Sequence, residues 1–421
     1  MTDKSTISLF SGAMGLDIGL EKAGFKTMAI VEKDKKATET IKLNRSDIHI
    51  FDRTIQGIDS SEILESTGLK SGEICLLSGG PCCQSFSTVG NRGSLGDPRG
   101  SLFRDFTRMV KDLQPRFFIM ENVKGILSAA VKHRTLNNRG PGYPPLESDE
   151  ELGSALKIIL AEFAELNYYV LYSLINCADF GVPQNRMRVI FLGSRDGENI
   201  SMPAATHAKR GGKNLKKWLS LRRAIGGLKE SNPEYLDFPK DRLELLAQLT
   251  EGQNWTDLPE DLQEKALGAA FISWGGRGGF CRRLDWGKPS PTLTTSPIGR
   301  ATTLCHPDEL RPLTVLEYAT LQQFPKSWKF AGSVQQKYMQ IGNAVPVGVG
   351  KALGQALIST IQETDSVGLP VNAEKRLGMV KCADPDLEKK IQKRRRTQLH
   401  PARLLKTDDP EKIKEWLSAK A

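Results

Sequence analysis

The chain has 421 residues, of which 39% are hydrophobic and 26% are charged, and it carries a formal net charge of +10 at pH 7. It is long enough for two domains with a sizeable core. No apolar run approaches the roughly 18 residues of a membrane-spanning helix, and the N-terminus lacks a signal-peptide pattern, so we expect a cytoplasmic protein without a membrane segment. The seven scattered cysteines include no Cys-x-x-Cys pair, which supports neither a metal site nor a disulfide framework. The basic charge suits a polyanionic partner.

The first predicted unit is a strand, a glycine-rich turn and a helix. An apolar run over 7–10 leads into Ser-Gly-Ala-Met-Gly at 11–15, after which apolar residues recur at helical spacing. The next predicted strand, 28–31, ends on Glu32, which stands where the ribose hydroxyls of a bound nucleotide find an acidic acceptor. The pattern therefore predicts a site for an adenosine-containing cofactor. By itself it also fits a dinucleotide-dependent oxidoreductase. A third strand is predicted at 48–51.

The stretch 76–87 reads Leu-Leu-Ser-Gly-Gly-Pro-Cys-Cys-Gln-Ser-Phe-Ser. An apolar run over 73–77 predicts a buried strand, and the two glycines and the proline end it. Cys82 and Cys83 then follow a strand end, the edge of an open α/β sheet where ligands bind. One interpretation is a nucleophilic thiol at the mouth of a site, and the other is a buried structural cysteine.

Residues 84–100 contain four glycines together with Asn, Asp, Pro and Arg. Such a segment cannot form a buried core, so we interpret it as a mobile basic lid over the site, with a surface loop that has no role as the alternative. An amphipathic helix is predicted over 102–113, and a strand over 116–120 ends on Glu121. The later predicted elements are a helix over 150–166, an antiparallel pair of strands at 168–175 and 187–192, a helix over 311–324, and a final apolar helix that opens at 340–346.

The middle of the chain, 196–310, shows no sustained periodicity. It contains basic and glycine-rich clusters at 209–213 and 275–279, with Trp274 and Trp286 between other basic residues. A small domain that reads DNA through Lys and Arg is one interpretation. An irregular surface with solvated charges is the other.

Three motifs taken together resemble one family. Gly-Gly-Pro-Cys-Cys-Gln-Ser-Phe-Ser at 79–87, Glu-Asn-Val at 121–123 and Gln-Asn-Arg-Met-Arg at 184–188 are similar, in this order, to the motifs of the DNA cytosine-5 methyltransferases. The resemblance covers most of residues 5–360. It implies an α/β fold with a Rossmann-like S-adenosylmethionine-dependent methyltransferase sheet of seven strands, helices on both faces, and a smaller irregular target-recognition domain.

The same resemblance implies a division of residues 1–364 into three parts. These are a catalytic and cofactor-binding domain at 1–195, a target-recognition domain at 196–310, and a return segment at 311–364 that completes the catalytic domain. A basic C-terminal extension at 365–421 follows, to which the resemblance does not reach. The extension is expected to contact DNA phosphates, or alternatively to pack against the catalytic domain.

The resemblance also implies catalytic roles. Cys83, rather than Cys82, matches the family's Cys-Gln and would attack C6 of cytosine. Glu121 would donate a proton at N3, and Arg186 and Arg188 would supply donors for the cytosine O2 and a nearby phosphate. Because the reaction cannot occur inside a stacked duplex, the base must be flipped out under the predicted lid.

S-adenosyl-L-methionine is the cofactor that the resemblance implies. The residues expected to bind it are Phe10, Gly12, Gly15, Glu32, Asp52, Pro81, Leu102 and Asn343. The residues expected to contact the substrate are Gln84, Ser85, Ser87, Asn122 and Gln184. Two positions depart from the family pattern. Met14 stands where a glycine is usual, so the turn either tolerates a side chain or keeps the cofactor further away, and Asp52 follows Phe51 instead of a glycine.

These features predict a bacterial enzyme that methylates double-stranded DNA, in a restriction-modification system or alone, as a monomer associated with the nucleoid. One alternative is a tRNA cytosine-5 methyltransferase, which the long middle insert disfavours. Another is an inactive DNA-binding relative, which the intact Cys83, Glu121, Arg186 and Arg188 disfavour.

Overall fold

The computed structural model describes residues 4–81, 101–132, 134, 138, 143–268, 277–387, 389 and 391. Several predicted features lie outside these described residues: Cys82, Cys83, the substrate-binding candidates Gln84, Ser85 and Ser87, the predicted lid, Trp274, and the last thirty residues of the extension.

Twelve strands and twelve α-helices occur in the part of the chain that the structure describes. The strands are β1 (Ser5–Leu9), β2 (Lys26–Val31), β3 (His49–Phe51), β4 (Leu76–Gly79), β5 (Phe117–Val123), β6 (Tyr169–Asn176), β7 (Gln184–Asn185), β8 (Met187–Ser194), β9 (His207–Ala208), β10 (Lys216–Lys217), β11 (Ser290–Pro291) and β12 (Val380–Cys382). The helices are α1 (Gly15–Ala23), α2 (Lys35–Asn44), α3 (Ser60–Thr67), α4 (Ser101–Leu113), α5 (Ser154–Glu165), α6 (Leu221–Ile225), α7 (Lys240–Ala247), α8 (Glu260–Leu267), α9 (Val315–Leu321), α10 (Val334–Asn343), α11 (Val347–Val367) and α12 (Ala373–Arg376).

Eight of these strands form one sheet in the order β12-β6-β8-β5-β4-β1-β2-β3. All neighbours run parallel except β8, which is antiparallel to both β5 and β6. The predicted α/β class and the antiparallel pair are therefore confirmed. Since β1, β4, β5 and β6 run in the same direction, their carboxyl ends lie at one edge of the sheet, which is where open α/β sheets bind ligands.

The sheet has one strand more than the predicted seven. β12 comes from the C-terminal extension and pairs in parallel with β6. Cys382, Leu387 and Ile391 are buried in the same core as the sheet. Three residues are too few to show a strand periodicity, so the sequence did not indicate this element. The described residues 380–387 and Ile391 of the extension thus pack with the large sheet.

The sheet is covered on both faces, as predicted. Alternate side chains of a strand point to opposite faces, and Ile7 and Leu9 of β1 pack in a core with Phe106 of α4 and Phe163 of α5. On the other face, Leu16 and Leu20 of α1 pack with Leu353 and Leu357 of α11. The middle of the chain has a smaller core of its own, which includes Phe238, Leu246, Leu258 and Cys305.

Glycines bring α11 into close contact with α1. A Cβ on Gly15 or Gly19 would overlap the carbonyl oxygens of Val345 or Val347, and one on Gly350 would overlap the carbonyl oxygen of Leu16. The return segment therefore packs directly on the N-terminal turn and helix, as the family resemblance implied. The stretch Val334–Val367 is long and apolar enough to cross a membrane by composition alone. Here it forms two helices, and the buried face of α11 accounts for its apolar character.

Candidate active site

The turn after β1 leaves its backbone open at the carboxyl edge of the sheet. Phe10 adopts a φ of 56° and donates its N–H to the carbonyl of Val31 at 2.8 Å. Gly12 has a φ of 53°, and a Cβ placed on it would meet no atom within 4 Å. A ligand can therefore approach the backbone at Gly12, which glycine permits at little steric cost.

Met14 shows how the turn tolerates a side chain where the family usually has glycine. It adopts a left-handed φ of 69°, a conformation that costs an L-residue roughly 1–3 kcal/mol. Its side chain is fully buried in a core with Ile18 and Ile30. The methionine thus points into the protein and leaves the open side of the turn clear.

Glu32 faces this turn from the end of β2. Its Oε2 accepts a hydrogen bond from the N–H of Gly12 at 2.8 Å, and its Oε1 accepts one from the N–H of Asp34 at 2.8 Å. Burial raises the pKa of Glu32, while the backbone donors oppose that shift. A carboxylate has about four acceptor positions, so Glu32 can still accept hydrogen bonds from vicinal hydroxyls.

Four other candidate cofactor residues differ in their contacts and exposure. Asp52 follows β3, and its carboxylate lies 3.1 Å from the Nζ of Lys35 and 3.6 Å from that of Lys42. Pro81 and Leu102 are buried, whereas Asn343 is exposed at the end of α10. Their contact with a cofactor stays a prediction.

Glu121 and Arg188 form an ion pair at the carboxyl edge. Glu121 lies within β5 itself, two residues before the strand ends, and its Oε1 is 2.5 Å from the Nε of Arg188 on β8. A Cβ placed on Gly80 would lie 3.1 Å from the Oε2 of Glu121. The segment that leads to Cys83 therefore passes directly against this carboxylate.

Asn122 connects the ends of two adjacent strands. Its Nδ2 donates to the carbonyl of Pro81 at 3.5 Å, and its Oδ1 accepts from the N–H of Val123 at 2.8 Å. The side chain is only 4% exposed. Asn122 thus helps to position the turn after β4 relative to Glu121, and its predicted contact with substrate stays a prediction.

Arg186 is buried among backbone carbonyls from later parts of the chain. It is 2% exposed, and its guanidinium donates to the carbonyls of Leu293 at 2.8 Å, Gly342 at 2.8 Å and Ala344 at 3.2 Å. Burial, followed by repulsion from Arg188, lowers the pKa of Arg186 to about 9. These contacts from Nη1 and Nη2 hold separate chain segments together, whereas the buried Nε has no hydrogen-bond partner among the described residues. The contact of Arg186 with the base or a phosphate stays a prediction.

Gln184 belongs to the same buried network. Its Oε1 accepts from the N–H of Leu293 at 3.0 Å, and its Nε2 donates to the Oε1 of Gln322 at 2.9 Å. The Nε2 of Gln322 in turn donates to the carbonyls of Ile341 at 2.6 Å and Ala344 at 3.1 Å. Gln184 is fully buried in this network, and its predicted contact with the substrate stays a prediction.

Sequence reasoning did not identify Gln322 or Gly80. Gln322 stands between Leu321 and Phe324 in an apolar helical pattern, and a polar residue at such a position is the one feature that could have indicated a buried contact. Gly80 was noted as a strand terminator, but its closeness to the carboxylate of Glu121 depends on two strands that are far apart in the chain.

Comparisons with known proteins identify one family over most of the chain. A family model for C-5 cytosine-specific DNA methylases matches residues 4–359. The Type II methyltransferase M.Sau96I of Staphylococcus aureus is 33% identical over 363 residues, which cover 86% of this chain and 77% of the relative. The Type II methyltransferase M.PspPI of a Psychrobacter species is 35% identical over 364 residues, covering 84% of this chain and 79% of the relative.

Solved structures show the same fold. One is described as a DNA modification methyltransferase encoded within a prophage of Escherichia coli. It has a TM-score of 0.58 at 22% identity and covers 85% of this chain and 99% of its own. The DNMT2 protein of Spodoptera frugiperda has a TM-score of 0.51 at 19% identity, covering 84% and 99%. At these identities the likeness concerns the fold alone.

Proposed function

The chain belongs to the C-5 cytosine-specific DNA methylases, and we propose that it methylates C5 of a flipped-out cytosine within a specific double-stranded DNA sequence. The observation that carries this proposal is the Glu121–Arg188 pair, which lies at the carboxyl edge against the turn that leads to Cys83. The named relatives are Type II methyltransferases. This supports a role in a restriction-modification system. We further propose that the enzyme is a monomer that acts in the cytoplasm on nucleoid-associated DNA.

The chemistry needs a temporary bond at C6, because C5 of cytosine is a weak nucleophile. In our proposal the thiolate of Cys83 adds to C6, and the electron pair of the C5–C6 double bond moves toward N3. Glu121 donates a proton at N3, which makes C5 an enamine carbon. After C5 has gained its methyl group, the C5 proton is removed by a base and Cys83 departs.

The two oxygens of Glu121 have different surroundings, which assigns them different tasks. Oε1 is held by Arg188, whereas Oε2 is directed toward Gly80 and the turn after β4. We infer that Oε2 carries the transferred proton and that Arg188 fixes the orientation of the carboxyl group. Besides this ion pair, Arg188 donates a hydrogen bond from Nη1 to the carbonyl of Met187 at 2.8 Å, which fixes its own position on β8.

The turn after β1 fits S-adenosyl-L-methionine. The open space above Gly12 admits a ligand to the backbone, and Glu32 beside it is placed to accept hydrogen bonds from ribose hydroxyls. When bound, the cofactor supplies an electrophilic methyl group. Phe10 and Gly15, at the two ends of the turn, complete the proposed cofactor contacts.

The test is to incubate the purified protein and S-adenosyl-L-methionine with duplex DNA or with tRNA, and to map modified cytosines by conversion sequencing. We expect methylation at one short duplex sequence and none on tRNA. Preferential modification of tRNA would overturn the proposal in favour of the RNA-acting alternative. Absence of modification on either substrate would favour the inactive relative.

A further inference from the structure

Positive charge is concentrated in one segment of the chain. Residues 199–229, called here the basic segment, contain eight Lys and Arg residues and no Asp or Glu. This segment alone accounts for +8 of the net charge of +10, which leaves +2 for the other 390 residues. Such an uninterrupted run differs from an ordinary protein surface, where charges of both signs are mixed.

All eight cationic residues are exposed, and none forms an ion pair with another residue that the structure describes. They are Lys209, Arg210, Lys213, Lys216, Lys217, Arg222, Arg223 and Lys229. Elsewhere the protein does pair its cations, as with Arg45 and Glu21 at 2.7 Å or Lys337 and Glu234 at 2.7 Å. The uncompensated charge creates a local positive potential that a polyanion would neutralise.

Hydrogen bonds fasten this segment to the carboxyl edge of the sheet. The N–H of Thr206 donates to the carbonyl of Asp179 at 2.9 Å, and the Nε1 of Trp218 donates to the Oδ1 of Asp179 at 2.8 Å. Both ends of the loop between β9 and β10 are thereby tied to the turn that follows β6. β6 runs parallel to β5, so this turn lies at the same edge as Glu121.

Two further contacts restrict the segment. The ring of His207 lies 2.8 Å from where a Cβ of Gly181 would stand, so the start of the loop packs closely on the turn after β6. The guanidinium of Arg222 lies over the ring of Trp286, 5.1 Å from its centre. The cations are therefore carried on an anchored backbone at the same edge of the sheet as the proposed catalytic groups.

We propose that the basic segment binds the phosphate backbone of the DNA that flanks the target cytosine. The proposal rests on the proposed function and deepens it, because it identifies where the sequence-independent part of DNA affinity resides. Each cation that contacts a phosphate releases bound counterions from the DNA. Removing such a cation should therefore reduce the slope of log affinity against log salt concentration by about 0.9 in magnitude. Phosphate contacts position the duplex and leave sequence choice to other residues.

The test compares two triple variants of the full chain. The first replaces Lys209, Arg210 and Lys213 by Gln, and the matched control replaces Lys26, Lys70 and Lys111. The three control lysines are also exposed. They lie at or near the amino-terminal ends of β2, β4 and β5, at the opposite edge of the sheet. Affinity is measured for target and unrelated duplexes at several salt concentrations, together with the single-turnover methylation rate at saturating DNA.

We expect the first variant to lose affinity for both duplexes by the same factor, with a salt slope smaller by up to about 2.7, which is three contacts at 0.9 each. The methylated sequence and the saturated rate should not change, and the control should behave as the wild type. An unchanged slope in an active first variant would overturn this inference while leaving the proposed function intact. Equal losses of DNA affinity in both triple variants would also overturn it. So would a first variant that binds tRNA or anionic vesicles more weakly than the wild type but binds DNA with unchanged affinity. If the triple variant unfolds, Lys213→Gln alone provides the same comparison.

Discussion

Arg186 and Arg188 stand two positions apart in one motif, yet they lie in different environments. Arg188 pairs with Glu121 at the carboxyl edge of the sheet. Arg186 donates to carbonyls from two later parts of the chain, Leu293 and the segment 342–344. The difference arises because Arg186 precedes β8 and faces these later segments, whereas Arg188 lies on β8 and faces Glu121 of the adjacent strand β5.

The comparison distinguishes an arginine that acts in the reaction from one that stabilises the fold. One arginine orients a carboxyl group, so its loss should reduce the rate of reaction. The other closes a buried polar network that joins the middle and return segments to the sheet, so its loss should reduce stability. A motif that identifies both residues at once does not reveal this division of roles.

The largest effect is expected for Glu121→Gln. The amide keeps the shape of the side chain but has no acidic proton, so methyl transfer should fall by about 10²- to 10⁴-fold while DNA binding is retained. Single-turnover methylation and a DNA-binding assay measure the two quantities. Glu65→Gln, at an exposed position, is the control and should be fully active. Near-normal turnover in Glu121→Gln would remove the proton-donor role.

Arg186→Lys should mainly reduce stability. A lysine cannot reach the carbonyls of Leu293 and Gly342 at once, so at least one buried acceptor loses its charged donor, at a cost of about 1.5–3 kcal/mol. Urea denaturation measures this change in the free energy of unfolding. The remaining folded protein should methylate at a nearly normal rate. A stable Arg186→Lys protein with a strongly reduced rate would instead place Arg186 at the base or phosphate.

Arg188→Lys should show the reverse pattern. Lysine keeps the positive charge but lacks the planar group that holds Oε1 of Glu121 and the Met187 carbonyl together. We expect the methylation rate to fall by about 10- to 100-fold through misorientation of the carboxyl group. The free energy of unfolding should fall by less than in Arg186→Lys, because lysine can still pair with the buried Glu121 carboxylate. If both lysine variants lost stability and rate equally, the contrast between the two arginines would not hold.

Asp17 offers an effect on stability that depends on pH. Burial raises the pKa of this α1 carboxyl group to about 7, and the nearby Ser8 side chain offsets the shift only in part. Between about pH 4 and about pH 7 the folded protein keeps this proton whereas the unfolded chain releases it. The stability that the group contributes below its ordinary pKa of about 3.9 is therefore lost as the pH rises to about 7. Asp17→Asn should remove this dependence, with a gain over the wild type that rises from about 1 kcal/mol at about pH 5 to about 4 kcal/mol at about pH 8.

Urea denaturation at the two pH values measures the change, and Glu65→Gln again serves as the control. An Asp17→Asn protein whose stability keeps the wild-type pH dependence would show that another buried group is responsible.

The smallest effect concerns the C-terminal extension. Truncation after Thr364 would remove β12 from the sheet, so we would instead replace Lys393, Arg394, Arg395 and Arg396 by Gln. We expect a slightly weaker salt dependence of DNA binding than in the wild type, with no change of target sequence. A larger reduction than that of the basic-segment variant would make the extension the main phosphate-binding element.

The sequence predicted much of the fold because local patterns encode it. Apolar runs located seven strands of the large sheet, and helical spacing located α1, α4, α5 and α9. The acidic residue Glu32 was recognised from its distance to the glycine turn. The antiparallel position of β8 also followed from a pair of apolar runs that are close in sequence.

The positions that were not predicted depend on contacts between distant parts of the chain. Arg186 meets Leu293 and Gly342, more than one hundred residues away, and no periodicity near Arg186 reflects those partners. The three residues of β12 are identified as a strand only by their pairing with β6, which lies far away in the sequence. The cluster of Lys209 and its neighbours was visible in the sequence, but its place at the catalytic edge depends on the hydrogen bonds to Asp179.

The most direct measurement is covalent trapping on duplex DNA in which the target cytosine is replaced by 5-fluorocytosine. Fluorine at C5 cannot be removed as a proton, so an enzyme that adds a thiolate to C6 stays attached to the DNA. The account predicts a stable adduct with wild-type protein and with Cys82→Ser, and no adduct with Cys83→Ser although that variant still binds DNA. An adduct that persists in Cys83→Ser and disappears in Cys82→Ser would contradict the assignment of the nucleophile, and the absence of any adduct in active wild-type protein would contradict the covalent mechanism.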